Sequence, residues 1–251
     1  SGIGNQIDDA LNWISEQRRG AEQGNMGYAT LADLINEKFD YLSRRYLLEA
    51  IKATEVVPIV RQHMAMGRKV VVFHDYKKRG GFNPFNIKVP GKATEGTSAE
   101  NAQALESLRN AVIEFRAKFK ELVEAPLGEL DSPIEVFKRE FADVLLVNGD
   151  EKKAALLERY KRFQDDASGP QVMLVQSAKN KGWSGHDTTG KHQRVLINLG
   201  QPTAPTMAIQ QEGRIYRTGQ VTDAIMRYLN TGTAWERMTF AQTIAGRASA
   251  A

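Results

Sequence analysis

Lys69-Val-Val-Val-Phe-His-Asp75 is a short, almost unbroken apolar run rich in β-branched residues. A run of this length, bounded by polar residues, reads as a strand rather than a helix. Asp143-Val-Leu-Leu-Val147, Val172-Met-Leu-Val175 and Val195-Leu-Ile197 are of the same kind. None alternates apolar with polar, so both faces of each strand must be covered, as in a parallel sheet packed between helices. Strands are therefore expected near 69–75, 143–147, 171–176, 194–198 and 224–229. Between two of them, Leu156, Leu157, Tyr160 and Phe163 recur at helical spacing within 151–163. Strands alternating with helices give an α/β layered fold.

Working outward, residues 1–66 read as helical. Ile7, Leu11 and Ile14 are spaced by four and three, and Leu31, Ile35, Phe39, Leu42 and Tyr46 keep the same period. Thr30 is the expected N-cap of the second stripe, and the glycines from Gly20 to Gly27 mark a loop. A further helix is expected from Thr54 to Met66, with Pro58 in its first turn and Gly67 ending it. The stretch 79–142 is too long for a simple crossover. It opens with a Gly-, Pro- and Asn-rich loop. Then Leu105, Leu108, Val112, Phe115, Phe119 and Leu122 recur at 3, 4, 3, 4 and 3, the stripe of an amphipathic helix. Ser132-Pro133 opens another. We read 79–142 as a helical insertion with helices near 101–124 and 133–142. Its stripe either packs on a neighbour within the chain or meets a partner helix. The expected organisation is a helical segment over 1–53, an α/β domain over 54–231 containing that insertion, and a helix over 232–251.

The chain has 251 residues, a net charge of +4, and no cysteine. Disulfides and thiolate metal sites are thus excluded. The four histidines, His63, His74, His186 and His192, show no metal-ligand spacing, so no metal site is expected. No apolar run approaches the length of a membrane helix, and no signal segment opens the sequence. The slight basic excess is compatible with nucleic acid without requiring it.

The stretch richest in chemistry is Gln210-Gln-Glu-Gly-Arg-Ile-Tyr-Arg-Thr-Gly-Gln220. On a helix opening near Ala204, Gln210, Arg214 and Arg217 would share one face. Two guanidiniums and a carboxamide on one face suit an oxyanion, because the planar fork of arginine matches phosphate oxygens. Gly213 would let that face approach a neighbour. The bland alternative is a helix with solvated arginines. Upstream, Val172-Met-Leu-Val-Gln-Ser-Ala-Lys-Asn-Lys-Gly-Trp-Ser-Gly-His-Asp187 runs from a buried strand into a polar turn. Ser177, Lys179, Lys181 and the turn amides could hold a phosphate, or the segment is a surface loop. His74, Tyr76 and Lys77 follow the first strand at its C-terminal end, where open α/β sheets meet ligands. For His74 alone, a satisfied structural histidine is the simpler reading.

In Gln210, Gly213, Arg214 and Arg217 the sequence resembles motif VI of superfamily 2 helicases, and Arg217-Thr-Gly-Gln220 resembles its ending in Swi/Snf-type members. The 172–187 stretch resembles motif V, although Gly182-Trp-Ser-Gly-His-Asp187 departs from the usual pattern. Gly67 to Tyr76 resembles motif IV. Leu145-Leu-Val-Asn-Gly149 with Arg159 and Phe163 resembles the strand, turn and helix between them. Arg194-Val-Leu-Ile-Asn-Leu-Gly, Pro202-Thr and Gln211-Glu-Gly-Arg-Ile-Tyr-Arg are most similar to strawberry notch-like helicases and related phage or plasmid proteins. The resemblance covers about residues 50–230. It implies the second, C-terminal RecA-like domain of a helicase, with a parallel sheet flanked by helices. It implies Arg217 as an arginine finger, Arg214 as a second phosphate contact, and Gln210 positioning phosphate or water. Gly213 and Asp187 would complete the ATP contacts. His74, Tyr76, Lys77, Ser177, Lys179 and Lys181 would meet nucleic acid, DNA ahead of RNA.

No Gly-x-x-x-x-Gly-Lys-Ser/Thr and no Asp-Glu-x-His box occurs in the sequence. The loop that cradles phosphates and the acid that holds magnesium are therefore not in this stretch. The resemblance puts them on a first, N-terminal RecA-like domain, the expected partner, which would bind most of the ATP and Mg. Alone, the chain is expected to be inactive. The expected location is the cytoplasm of a bacterial or phage-infected cell. The alternative is a non-catalytic RecA-like module that binds protein or nucleic acid.

Overall fold

In a computed structural model, which describes residues 2–20, 26–77, 81–179, 182–200, 205–229 and 233–238, the five apolar runs form one sheet. The strands are β1 Lys69–His74, β2 Leu145–Val147, β3 Val172–Gln176, β4 Arg194–Asn198 and β5 Ile225–Tyr228. Their order is β2-β3-β1-β4-β5, and every pair is parallel. This is the RecA-like α/β arrangement. β2 is shorter than the run 143–147, because Asp143 and Val144 precede the ladder.

β1 lies at the centre with all six residues buried, which explains its unbroken apolar character. Val70 pairs with Val172 on one side and Val195 on the other. The two faces of the sheet build two cores. Val70, Val72, Leu174 and Ile197 pack with Ala53, Val60, Val136 and Phe137. Those partners come from α3 Tyr41–Glu55, α4 Val57–Ala65 and α7 Pro133–Glu140. Val71, Phe73, Met173 and Leu196 pack with Tyr160 and Phe163 of α8 Lys153–Gln164, and with Trp183 and Ile215. α4 opens at Val57 rather than at Thr54, which belongs to α3, but as expected it carries Pro58 in its first turn and stops before Gly67, whose φ of 74° suits glycine. α7 opens on a complete capping box between Ser132 and Glu135.

Two cations sit where apolar residues would be expected. Lys69 and Arg194, the first residues of β1 and β4, are register partners and fully buried. Both bond to Asp166, at 3.4 and 3.1 Å, and both lie over the Phe163 ring. Lys69 also donates to the carbonyls of Phe163 and Asp165. Burial lowers the Lys69 pKa, and Arg194 lowers it further against the pull of Asp166. Burial opposes ionisation of Asp166, but the Thr189 hydroxyl, Arg194 and Lys69 hold its carboxyl below the ordinary range.

The chain divides into two compact units. The sheet belongs to the one made of Tyr46–Gly80, Leu130–Thr231 and Trp235–Ala251. The other comprises Ser1–Arg45, Gly81–Glu129 and Gly232–Ala234. The stretch 79–142 is thus shared between them: α7 packs in the sheet core, while α5 Ala99–Lys118 and α6 Lys120–Glu124 lie in the helical unit. There α5 packs on α2 Met26–Lys38, so the stripe at Val112 and Phe115 is covered within the chain. Trp13, on α1 Gly2–Gly20, meets the rings of Tyr28, Phe115 and Phe119 at 5.7–6.1 Å between centroids.

Several helix boundaries differ from the sequence reading. α2 opens at Met26, and Thr30 is not its cap: inside the helix, its hydroxyl donates to Met26 O. Gly20 and Gly27 are both helical, while 21–25 lie outside the described residues. The stripe from Leu31 to Tyr46 breaks at Asp40, whose carboxylate accepts the Ser43 N–H at 2.8 Å. The long stripe over 101–124 breaks at Phe119. Residues 234–238 are helical, and the remainder of the expected C-terminal helix lies outside the described residues.

Gly27 shows why the α2–α5 contact needs glycine. Its N–H donates to Ser107 Oγ at 3.2 Å, and an added Cβ would stand 2.3 Å from the Ser107 carbonyl oxygen. Gly27→Ala is expected to cost about 2 kcal/mol or more, as overpacking against backbone does. Urea unfolding measures it, and wild-type stability would show that the helices are not so closely apposed.

Candidate functional site

The motif stretch opens on α9 Pro205–Glu212. The helix ends there, so Gln210, Arg214 and Arg217 do not share a helical face as expected. Gly213, a poor helix former, closes the last turn by donating to Ile209 O at 2.9 Å. Arg214 and Ile215 then form a turn on the carbonyls of Gln211 and Glu212, with Ile215 buried as its anchor. A second turn at 217–220 has Gly219 at φ 90°, and the Gln220 side chain accepts the Arg217 N–H at 3.1 Å. The chain's path, not the helical period, brings the motif together. Gln210, Gly213, Arg214, Arg217, Gly219 and Gln220 line one open pocket of about 820 Å³. Its described lining holds two arginines and no carboxylate. Within this chain the nearest atoms to an added Cβ on Gly213 are carbonyl oxygens of α9 itself.

The second motif braces the first. Trp183 stacks on Tyr160 with centroids 4.8 Å apart and planes 6° from parallel. Its carbonyl accepts from Arg214 at 3.0 Å, and Ser184 Oγ accepts from Arg217. Gly185 N–H donates to Arg214 O at 2.7 Å, while Gly185 O accepts from Arg194 at 2.9 Å. The strap Trp183–Gly185 is thus tied to both arginines. Burial lowers the pKa of Arg214, as does the like charge of Arg217. Two close cations create a positive potential that an anion relieves. Arg217 is exposed, and Glu212 and Asp187 are engaged elsewhere, Glu212 by the Tyr228 hydroxyl. Asp187 does not line the pocket. It is buried, and its carboxylate accepts from the Thr189 and Gly190 amides and the Thr222 hydroxyl, pinning its own loop.

At the C-terminal ends of β1 and β3 the expected contacts separate. His74 is 0% exposed and so offers no surface to a strand. Its Nδ1 bonds to Tyr76 O at 3.0 Å, and burial pushes its pKa down to about 4. Tyr76 stands edge-on to Tyr46, and Lys77 pairs with Asp150 at 2.7 Å. Ser177 donates to His74 O and receives the Gln211 side chain. Lys181 and the side chain of Lys179 lie outside the described residues. Among the described residues, no three His, Asp or Glu side chains form a metal site, and no helix is long and apolar enough to cross a membrane.

Sequence reasoning missed Glu49, which is buried beneath this edge. Its two oxygens accept the Asp75 and Tyr76 N–H groups, both at 2.8 Å. Burial, then the charge of Asp75, push its pKa from 4.5 up to about 8, against the two amides and Lys52. A pKa raised on folding stabilises the native state at low pH and loses that contribution as pH climbs through the folded value. Thermal stability is therefore expected to carry a falling component between about pH 5 and pH 8, removed by Glu49→Gln; an unchanged slope in that variant would assign it elsewhere. The His74 shift has the opposite consequence, costing stability as pH falls from 6.5 toward 4.

Gln211, Trp183 and Ser184 were also overlooked. For Gln211 a signal existed: with Ala208 and Ile215 it keeps the helical period, and all three are buried. Trp183 and Ser184 gave none, because their partners lie some thirty residues along the chain.

No family model matches the sequence, and no curated protein matches it. Among solved structures, the C-terminal part of the Fun30 ATPase domain is similar at 13% identity and a TM-score of 0.45, over 77% of this chain and 44% of that one. The Mycobacterium smegmatis helicase Lhr, solved with ssDNA and AMP-PNP, is similar at 15% identity and a TM-score of 0.39, over 79% of this chain and 19% of that one. The chain therefore spans less than half the length of either.

Proposed function

We propose that the Arg214–Arg217 pocket is an oxyanion site, and that the chain is the second RecA-like domain of a superfamily 2 helicase or translocase of strawberry notch-like type. One observation carries this reading: two arginines meet in an open pocket whose described lining has no carboxylate. Arginine forks bind phosphate oxygens bidentately, and this pair opens to solvent rather than into the sheet. A partner domain holding most of the ATP and its Mg would present the terminal phosphate here. Arg217 would then meet the transferring group, Arg214 would hold a second oxygen, and Gln210 would orient phosphate or water. Nucleic acid, DNA ahead of RNA, would run past Tyr76, Lys77 and the Ser177 turn in a cytoplasmic setting.

Isothermal titration of this chain tests the pocket. ATP is expected to bind weakly, with no hydrolysis above background, because the sequence holds no phosphate loop. Micromolar ATP affinity would contradict a half-site. Single-stranded DNA is expected to bind weakly and with little sequence preference, and affinity should drop steeply as salt rises, since counterion release drives such binding. Tight binding indifferent to salt would place the nucleic-acid assignment in error.

A further inference from the structure

Gln211 is 1% exposed, yet both ends of its amide are used. Its Nε2 donates to Ser177 Oγ at 3.0 Å, and its Oε1 accepts from Asn198 Nδ2. Ser177 in turn donates its hydroxyl proton to His74 O at 3.2 Å. With its hydroxyl proton spent on a carbonyl, Ser177 accepts from the Gln211 amide. One side chain thereby pins the last turn of α9 to the C-terminal ends of β1 and β4 and to the residue that follows β3. The main-chain carbonyl of Gln211 also accepts the Arg214 N–H at 3.1 Å, the first bond of the turn that carries the arginines.

We propose that Gln211 is the positioning residue of the oxyanion pocket: its buried amide sets where the Gly213–Arg217 turn leaves α9, and so where both guanidiniums stand. The proposal rests on the oxyanion reading above. The position must donate to one neighbour and accept from the other, which a carboxamide does at any pH and no apolar side chain does. A hydrophobic residue would fill the same space while leaving Asn198 Nδ2 without its acceptor, Ser177 Oγ without its donor, and α9 free to slide.

A carboxyl group supplies the test. Protonated, a glutamate at this position reproduces the amide, with its O–H donating to Ser177 and its C=O accepting from Asn198. Ionised, it can only accept. Sulfate is the probe, because its charge is constant over the range used, and the Arg214 and Arg217 side-chain NMR signals report binding up to about 100 mM. The wild-type affinity is expected to vary little between pH 5 and pH 8. Gln211→Glu should match wild type at pH 5 and bind about tenfold more weakly at pH 8, the scale of losing a buried polar contact. Gln211→Met should be about tenfold weaker at every pH. A variant that only lost stability would show no such pH dependence while folded. Wild-type affinity in Gln211→Met, or no pH dependence in Gln211→Glu, overturns the proposal while leaving the pocket intact. If wild type itself does not bind sulfate, the oxyanion reading fails and this proposal with it. Should Gln211→Met not fold, Ser177→Ala replaces it, with an expected loss of about threefold; unchanged binding there also overturns the proposal.

Discussion

On the oxyanion reading proposed above, Arg217→Ala is expected to reduce ATP turnover by about 10³-fold or more in a protein that joins this chain to a nucleotide-binding domain, the scale on which arginine fingers act. The reason is placement. Arg217 is exposed at the pocket mouth, and its guanidinium is held only by the Ser184 hydroxyl among its described contacts, a bond that an incoming phosphate oxygen can replace. A charge that meets the transferring group mainly in the transition state changes the rate far more than ATP binding. ATP affinity should therefore change only a few-fold. Lysine should rescue poorly, because a point charge lacks the fork. The same substitution should leave the melting temperature of this chain almost unchanged, since removing an exposed side chain exposes no core. Near-normal turnover in Arg217→Ala would dismiss Arg217 as the finger. A large loss of stability would instead make it a structural residue.

How much of this was legible in the sequence follows from the range of each interaction. β1 could be read directly, because a strand buried on both faces must be apolar throughout. The capping of α7 was equally local, since Ser132-Pro133 and Glu135 make their bonds within one turn. The start of α2 was not legible: a good cap residue at Thr30 competed with the close approach of Gly27 to Ser107, eighty residues away. The site shows the same division. The residue types at Gln210, Arg214 and Arg217 pointed to an oxyanion, and they do line one pocket. The supposed geometry was a helical face, and Gly213 prevents it. What replaces it is the strap Trp183–Gly185, in the stretch where the sequence departs from the helicase pattern. Lys69, Glu49 and Arg194 could have been suspected as charges set among apolar residues, but a charge at a strand start reads equally well as a boundary, and one inside a helix such as α3 as part of a solvated face. Only the placement of Asp166 and Phe163 decides the matter for Lys69 and Arg194.

Arg194→Met is expected to be the most damaging substitution for the fold, at about 3–5 kcal/mol, the usual cost of removing one partner from a buried ion pair. The Arg194 guanidinium donates to Gly185 O, His192 O, Gln164 Oε1 and Asp166 Oδ1 from a site with 1% exposure. Methionine fills part of the volume and satisfies none of these acceptors. Asp166 would keep Lys69, at 3.4 Å, and the Thr189 hydroxyl, so its charge would be weakened in support rather than abandoned. In a chain of this size the loss corresponds to a fall in melting temperature of about 10 °C or more. Arg194→Met combined with Asp166→Asn should recover part of it, because the second change removes the charge left short of a partner. The effect should also reach the site. Gly185 O is held by Arg194 while Gly185 N–H donates to Arg214 O, so loss of the guanidinium frees one side of the strap. Amide exchange at Gly185 should then accelerate more than exchange in the centre of β1. Uniform acceleration would mean that Arg194 supports the fold as a whole and not the strap. A melting temperature within about 2 °C of wild type would show that the buried cluster contributes little to stability.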